Sequence, residues 1–335
     1  MTTDLPAVLA VVVASAFSSW ALLRFLIPLL KRKLLDHPNA RSAHLQPIPR
    51  GGGIAFVLVS SVFSLTAIAQ GAWSPLVALP LLALPLALVG VLDDRHNLPA
   101  AWRYGVQTLT ALAVLWFSPL ARSLPAALPV PVLWLPLAFL LLIAITAVIN
   151  FTNFMDGLDG LVASCLTITL ATAAIQLRAT PLALWPLVGA LLGFLSWNWS
   201  PARVFMGDVG STFLGALFAA AVLQASSWTL AMRLLLVCTP VLADACLCVL
   251  RRLLAGQPVF RAHRLHLFQR LQQAGWSHRQ VSGLYLGATG LLAFAELFAG
   301  WLALVWMVGV LLALGLHLDR RVAVPFAVSV PHQQS

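Results

Sequence analysis

Long apolar runs separated by short polar stretches dominate the chain, at roughly 5–30, 52–70, 74–92, 104–118, 132–149, 159–177, 182–198, 211–227, 229–250, 281–300 and 301–318. A helix needs about 20 apolar residues to cross a bilayer core, and most of these runs approach that length. None alternates with the period of two that marks a transmembrane barrel strand. The pattern predicts an all-α, polytopic integral membrane protein. Loops between the eighth and ninth runs and between the last two are very short, so ten to eleven transmembrane helices are expected.

Composition agrees with that pattern. The 335 residues are 61% hydrophobic and only 9% charged, with a mean hydropathy of +0.93, beyond what a wetted globular surface carries. Ala14-Ser15-Ala16 resembles a signal-peptidase site. No basic segment precedes it, however, and the apolar run continues to Lys31-Arg32-Lys33, so the first run is read as a retained anchor.

Charge then orients the spans. Sorting the basic residues by loop puts sixteen on one side (Lys31, Arg32, Lys33, Arg41, Arg50, Arg95, Arg103, Arg203, Arg251, Arg252, Arg261, Arg264, Arg270, Arg279, Arg320, Arg321). Three fall on the other (Arg122, Arg178, Arg233), with Arg24 inside the first run. By the positive-inside rule the first group is cytoplasmic, the N-terminus outside and the C-terminus inside. The net charge of +10 is therefore topology and attraction to anionic lipid or a phosphorylated substrate, with no nucleic acid required. Residues 1–320 read as one transmembrane catalytic domain with cytoplasmic loops at 31–51, 93–103, 150–158, 199–210 and 251–280, and 321–335 as a short disordered tail. Cys165, Cys238, Cys246 and Cys248 have no CxxC spacing, which supports neither a disulfide framework nor a thiolate metal site.

The same sorting gathers the chemistry. All eight histidines (His37, His44, His96, His263, His266, His278, His317, His332) and Asp93, Asp94, Asp156, Asp159 and Asp208 fall at the cytoplasmic side. The loop SPLARSLPAALPVPVLW at 118–134, on the other side, reads as simple connection.

Five stretches stand out. VLDDRHNL at 91–98 sets Asp93 and Asp94 where the third run ends; a solvated helix end is the bland alternative. NFTNFMDGLDGL at 150–161 carries Asn150, Asn153, Asp156 and Asp159. Helix capping explains one carboxylate there. If 156–160 is helical, the i, i+3 spacing puts two on one face, where they repel unless a cation or ligand intervenes. FMGDVGST at 205–212 holds Asp208 between glycines that allow close backbone approach. FRAHRLHLFQRL at 260–271 clusters His263, Arg264, His266, Gln269 and Arg270. As HxxH without a third ligand it is a poor zinc site, and as a clamp for anionic oxygens it is a better one. RSAHLQPIPRGGGIAF at 41–56 places three glycines after Arg50, for packing or for a ligand.

Five carboxylates and two basic clusters on one face suggest Mg²⁺ or Mn²⁺ chemistry on a phosphorylated substrate, since hard cations take oxygen ligands and Mg²⁺ commonly uses one or two carboxylates plus substrate phosphates. Two ionisable residues lie within runs. Asp244 sits two turns from Arg251-Arg252 and is read as a structural partner or part of the site floor. Glu296 has no partner that the sequence names, although an unpaired carboxylate in a membrane costs of order a few kcal/mol.

The ordered set DD, NxxNxxDGxDG, FMGDxGS and a histidine-bearing loop, from Arg41 to about Leu271, closely resembles the polyprenyl-phosphate N-acetylhexosamine-1-phosphate transferases of glycosyltransferase family 4, which include phospho-N-acetylmuramoyl-pentapeptide transferase. The resemblance implies a multi-pass enzyme of the bacterial inner membrane with a cytoplasmic active site. Such an enzyme moves a sugar 1-phosphate from a UDP-amino sugar to undecaprenyl phosphate and releases UMP, and a homodimer is the family expectation. Asp208 then resembles the principal Mg²⁺ ligand with Asp94 beside it, and one of Asp93 and Asp94 the base that readies the lipid phosphate by direct attack. Asn153, Asp156 and Asp159 line the nucleotide and metal site, with Asn150, Arg50, His263, Arg264, His266 and Gln269 on the substrate side. Where many members carry H-x-H-H, this chain has His266-Leu267-Phe268-Gln269 preceded by His263-Arg264. That form resembles the branch initiating O-antigen or other surface glycans, with UDP-GlcNAc, UDP-FucNAc or UDP-QuiNAc as donor.

The rivals are a transporter and a catalytically inactive scaffold of glycan assembly. Transport predicts mid-membrane ionisable groups and an internal repeat; only Asp244 and Glu296 fall clearly within runs, and the two halves share no motif. Retention of all five motif carboxylates argues against the scaffold.

Overall fold

The computed structural model describes residues 4–36, 38, 46–127, 130–258 and 263–326. Arg41, His37, His44, Arg261, His332 and the tail from 327 onward lie outside the described residues. The chain is an all-α multi-pass membrane protein. The helices are α1 (Leu5–Lys33), α2 (Ile54–Ala69), α3 (Pro75–Leu82), α4 (Leu84–His96), α5 (Ala100–Phe117), α6 (Pro119–Ala127), α7 (Trp134–Met155) and α8 (Leu161–Gln176). They continue with α9 (Trp185–Asn198), α10 (Asp208–Val222), α11 (Trp228–Val237), α12 (Thr239–Leu254), α13 (Leu267–Gln273), α14 (His278–Phe294) and α15 (Trp301–Arg321). Among the described residues the strands are a two-residue antiparallel pair, β1 (Leu35–Asp36) against β2 (Ile48–Pro49), which closes the loop before the three glycines.

Each apolar run is built as helix, but not each as one long span. Five described helical segments are long and apolar enough to cross a membrane (Leu5–Lys33, Pro75–His96, Pro131–Met155, His278–Ala299 and Trp301–Arg321), or six if α11 and α12 count as one. Shorter apolar helices, α2, α8 and α10, span 16, 16 and 15 residues, below the ~20 a perpendicular span needs. Two runs break internally. The third gives α3 and α4 around Ala83, and the ninth bends by 83° between α11 and α12, where Pro240 removes a backbone donor near the break. The stretch at 118–134 is more than a connection. It forms α6 and a 3₁₀ turn at Pro131–Leu133, with the Ser118 hydroxyl donating to Leu223 O at 2.9 Å.

α10 is the axis of the bundle, with every residue from Val209 to Val222 buried. α2, α4, α7 and α8 all pack on it. Its N-terminus meets α4 so closely that a Cβ at Gly90 would lie 2.5 Å from the Val209 backbone. On the flank, Gly189 and Gly193 of α9 let α1 approach at Val12 and Ala16, the small-residue spacing by which helices pack without a hydrophobic drive in lipid. Glu296, in a π-helical turn at Ala295–Ala299, does have partners. Arg233 Nε and Nη2 each reach its carboxylate at 2.9 Å, and Gln176 Nε2 donates at 2.7 Å.

Candidate active site

Three helix ends converge at the polar end of the bundle: the C-termini of α4 and α7 and the N-terminus of α10. Asp93 and Asp94 end α4 but point to different work. Asp94 is 4% exposed, and its carboxylate accepts from the amides of Asp208 at 3.2 Å and Val209 at 3.4 Å. It therefore caps α10 from a neighbouring helix, satisfying N–H groups that have no intrahelical partner. Gly207 makes this possible: its φ is +72°, and a Cβ there would strike Asp94 Oδ2. Arg50 holds the far side of Asp94, with Nε 3.8 Å from Oδ1 and Nη2 donating to the Asp94 carbonyl.

Asp93 instead accepts from Leu98 N at 2.7 Å and from Arg103 at 3.0 Å. Arg103 is also 3.8 Å from Asp208, and the carboxylates of Asp93 and Asp208 face each other within hydrogen-bonding reach. Asn153 hydrogen-bonds Asp208 and donates to Ser211 Oγ at 2.9 Å. Asn150 and Gln107 pair amide to amide at 2.8 and 3.3 Å. Asp93, Arg103, Gln107, Asn150, Asn153 and Asp208 all line one cavity of about 80 Å³. Arg103 and Gln107 went unread as site residues. Their signal was available, since they lie one helical turn apart and Gln107 interrupts an otherwise apolar stretch of α5.

The segment after α7 departs from the helical premise: 156–160 is turn and bend. Asp156 and Asp159 consequently do not share a helix face. Burial, then the charges of Asp208 and Asp94, push the Asp156 carboxyl well above the usual range. For Asp159, burial acts upward but is outweighed by the hydrogen bond and charge of His278 and by donors from Ala202 and Ser200, which hold it below the usual range. Its carboxylate is 3.0 Å from His278 Nδ1 and 3.1 Å from Ala202 N, and Ser282 Oγ donates to its carbonyl at 2.7 Å. Among the described contacts, Asp159 clips the loop to α14 and to the segment after α9; it does not join the cavity.

The histidine loop is anchored by Asp244, which accepts from Leu267 N at 2.7 Å, Phe268 N at 3.1 Å and Tyr285 Oη at 2.7 Å. The sequence expected a partner or floor role, and the carboxylate is the cap of α13. Gln269 Oε1 accepts from His266 N at 3.3 Å, and Arg264 bonds Gln272 at 3.0 Å. His263 stacks on His266, whose ring also meets Phe154, a cavity residue. The loop thus abuts the cavity through Phe154. Burial, then His266 and Arg252, push His263 down to about 3, so it brings no positive charge to an anion clamp at neutral pH. Arg270 is 2% exposed, donates to Leu265 O and Val324 O and pairs with Asp319; it is structural. One cysteine meets histidines that its spacing in the chain does not announce. Cys248 comes together with His263 and His266, one ligand atom from each lying within 4.8 Å of the others. Spacings of 15 and 18 residues match no short motif.

A family model described as glycosyl transferase family 4 matches residues 76–226, which includes DD and the two motifs that carry Asp156, Asp159 and Asp208. A decaprenyl-phosphate N-acetylglucosaminephosphotransferase of Mycobacterium leprae is 31% identical over 77% of this chain and 75% of its own length. A probable undecaprenyl-phosphate N-acetylglucosaminyl 1-phosphate transferase of Bacillus subtilis is 29% identical over 77% and 75%. A phospho-N-acetylmuramoyl-pentapeptide-transferase of Symbiobacterium thermophilum is 34% identical over 84% and 91%.

Proposed function

Because this chain belongs to glycosyl transferase family 4, among the polyprenyl-phosphate sugar-1-phosphate transferases, we propose that it transfers N-acetylhexosamine 1-phosphate from a UDP-amino sugar to undecaprenyl phosphate, releasing UMP. The observation that carries the reading is the cavity where Asp93 and Asp208 face each other with one guanidinium, Arg103, between them. Two carboxylates and the Asn153 amide form a hard-oxygen donor set short of positive charge, which fits Mg²⁺ or Mn²⁺. Asp208 and Asp93 would hold the ion. The expected second ligand shifts from Asp94 to Asp93, because Asp93 lines the cavity together with Asp208 and Asp94 does not. Bound there, the ion supplies charge neutralisation for the nucleotide diphosphate.

The protein's own groups do the rest. An oxygen of the lipid phosphate attacks the β-phosphorus, the bond to the α-phosphate oxygen breaks, and UMP leaves; both reactants are anionic, so positioning and electrostatics lower the barrier. Arg103 offers its guanidinium to the transferring group, and Asn150 and Asn153 offer neutral amides that orient it. Asp93 serves on the cavity wall as that ligand, and a lipid phosphate already largely ionised at neutral pH needs no separate base; Asp94 acts through α10 by holding its N-terminus. Asp156 lies in the turn after α7 beside the cavity, where burial and then the charges of Asp208 and Asp94 push its carboxyl upward. Arg50, Arg264, His266 and Gln269 position the loops around the site.

The donor we favour is UDP-GlcNAc, with UDP-FucNAc and UDP-QuiNAc as further candidates, and the product would initiate an O-antigen or another cell-envelope glycan. The relatives named as N-acetylglucosamine transferases and the His266-Leu267-Phe268-Gln269 ending support this choice. The sixteen-to-three charge asymmetry supports a bacterial inner-membrane enzyme whose site faces the cytoplasm. Purified protein in detergent is to be assayed for UMP release with undecaprenyl phosphate and a panel of UDP-amino sugars, with and without Mg²⁺. Release that needs the metal, the lipid and one donor is expected. Folded protein that stays silent with every donor would remove the reading.

A further inference from the structure

We propose that Cys248, His263 and His266 form a binding site for a thiolate-seeking divalent metal of the Zn²⁺ class, separate from the carboxylate cavity. The site fastens the loop before α13 to α12. One ligand atom from each residue lies within 4.8 Å of the other two. In a tetrahedral site, Zn–S near 2.3 Å and Zn–N near 2.0 Å set ligand atoms roughly 3.3–3.5 Å apart, so closure asks for a contraction of up to about 1.5 Å, within reach of side-chain rotation. Cys248 is 4% exposed and His266 2%.

The surroundings match what such ions require. Asp244 lies one helical turn before Cys248 on α12, so the two share a face. Its Oδ1 is 3.8 Å from His266 Nδ1, the arrangement in which a carboxylate fixes the ring so that Nε2 faces the metal. Charge also closes: a divalent ion, the Cys248 thiolate and the Asp244 carboxylate sum to zero, and the thiol proton leaves on binding. Neighbouring cations are already engaged, with Arg270 on Asp319 and Arg252 on Pro258 O. The one bond lost is long. Leu265 N donates to His263 Nδ1 at 3.3 Å; ligation through Nδ1 replaces that contact, and ligation through Nε2 moves the ring proton to Nδ1. Sulfur and imidazole donors select Zn²⁺ or Co²⁺ over Mg²⁺, so this site and the carboxylate cavity take different ions.

The test uses untagged, chelator-treated, full-length protein in detergent, titrated with Co²⁺. One equivalent per chain is expected, with a thiolate-to-cobalt charge-transfer band in the near ultraviolet and tetrahedral d–d bands, both erased by Zn²⁺. Cys248→Ser should abolish the charge-transfer band, and His263→Gln should weaken Co²⁺ binding at least 10-fold. Asp208→Asn, which touches only the carboxylate cavity, should leave both unchanged. In a Cys246→Ser background, Zn²⁺ should protect Cys248 from maleimide, a readout that needs no variant at the site. A wild-type protein that shows no charge-transfer band, a band that survives Cys248→Ser, or maleimide labelling indifferent to Zn²⁺ would each overturn the proposal. None of these outcomes depends on sugar transfer.

Discussion

Two acidic sites in this molecule, Glu296 and the Asp93–Asp208 pair, are built to opposite plans. Glu296 sits inside the helical region and is saturated, with a guanidinium on one side and an amide on the other. Asp93 and Asp208 are instead set against each other with a shared arginine, beside an open cavity. A group that is fully partnered has its charge settled within the fold. Opposed acids with too few donors are costly as they stand, and a ligand that supplies positive charge relieves the cost. On the function proposed above, the same residue type serves cohesion in one place and chemistry in the other, and substitutions should separate the two.

The largest effect belongs to the cavity. Asp208→Asn should lower turnover by about 10²–10³-fold, the order seen when one electrostatic group is removed from a preorganised site, while the melting temperature in detergent stays within a few degrees. Wild-type turnover at saturating Mg²⁺ would strip Asp208 of its assigned role. Asp93→Asn and Asp94→Asn then divide the DD pair. Asp93→Asn should cost turnover with little loss of stability. Asp94→Asn replaces an acceptor that faces two amides by a group that is half donor, and about 1–3 kcal/mol of stability should go with it. If thermal denaturation and UMP assays gave the same profile for both, the division of labour between these neighbours would be wrong.

Glu296→Gln tests the other plan. Breaking a buried ion pair from one side costs about 3–5 kcal/mol, whereas replacing both partners by apolar groups of similar volume is often neutral. The single variant should unfold well below wild type. The double variant Arg233→Met/Glu296→Leu should recover most of the loss, with kcat unchanged. A double variant no more stable than the single one would mean that Arg233 and Glu296 do more than hold each other.

What the sequence disclosed follows the range of each interaction. Apolar runs declare helices because a bilayer sets their length, and VLDDRHNL and FMGDVGST stood out as candidates for chemistry because their carboxylates are adjacent to glycines or to each other. The breaks at Ala83 and Cys238 were hidden, since a proline early in a helix is tolerated and reads the same as one at a bend. A shared face for Asp156 and Asp159 was conditional on a helix that 156–160 does not form. Arg233 and Glu296 are 63 residues apart, and Cys248 meets the histidines across a loop; pairings of that kind are fixed by tertiary packing. The separate duties of Asp93 and Asp94 were equally invisible, because they depend on which side of α4 meets the N-terminus of α10.

The smallest effect concerns Asp159, which the sequence grouped with the site and the fold assigns to cohesion. Its carboxyl is held below the ordinary value of 3.8, with burial opposing and His278, Ala202 and Ser200 prevailing. A group with a depressed folded-state value contributes stability that is present above the unfolded value and lost as pH falls through the folded one. Asp159→Asn should therefore melt about 2–4 °C below wild type near neutral pH, a shift worth about 1 kcal/mol in a chain of this class, and the gap should close as pH drops below 3.8. Thermal melts in detergent from pH 7 to pH 3 follow the two curves. Curves that stay parallel would show that the charge on Asp159 is not what ties this loop to α14, and the neutral hydrogen bonds of Ser282 and Asn198 would then carry that junction.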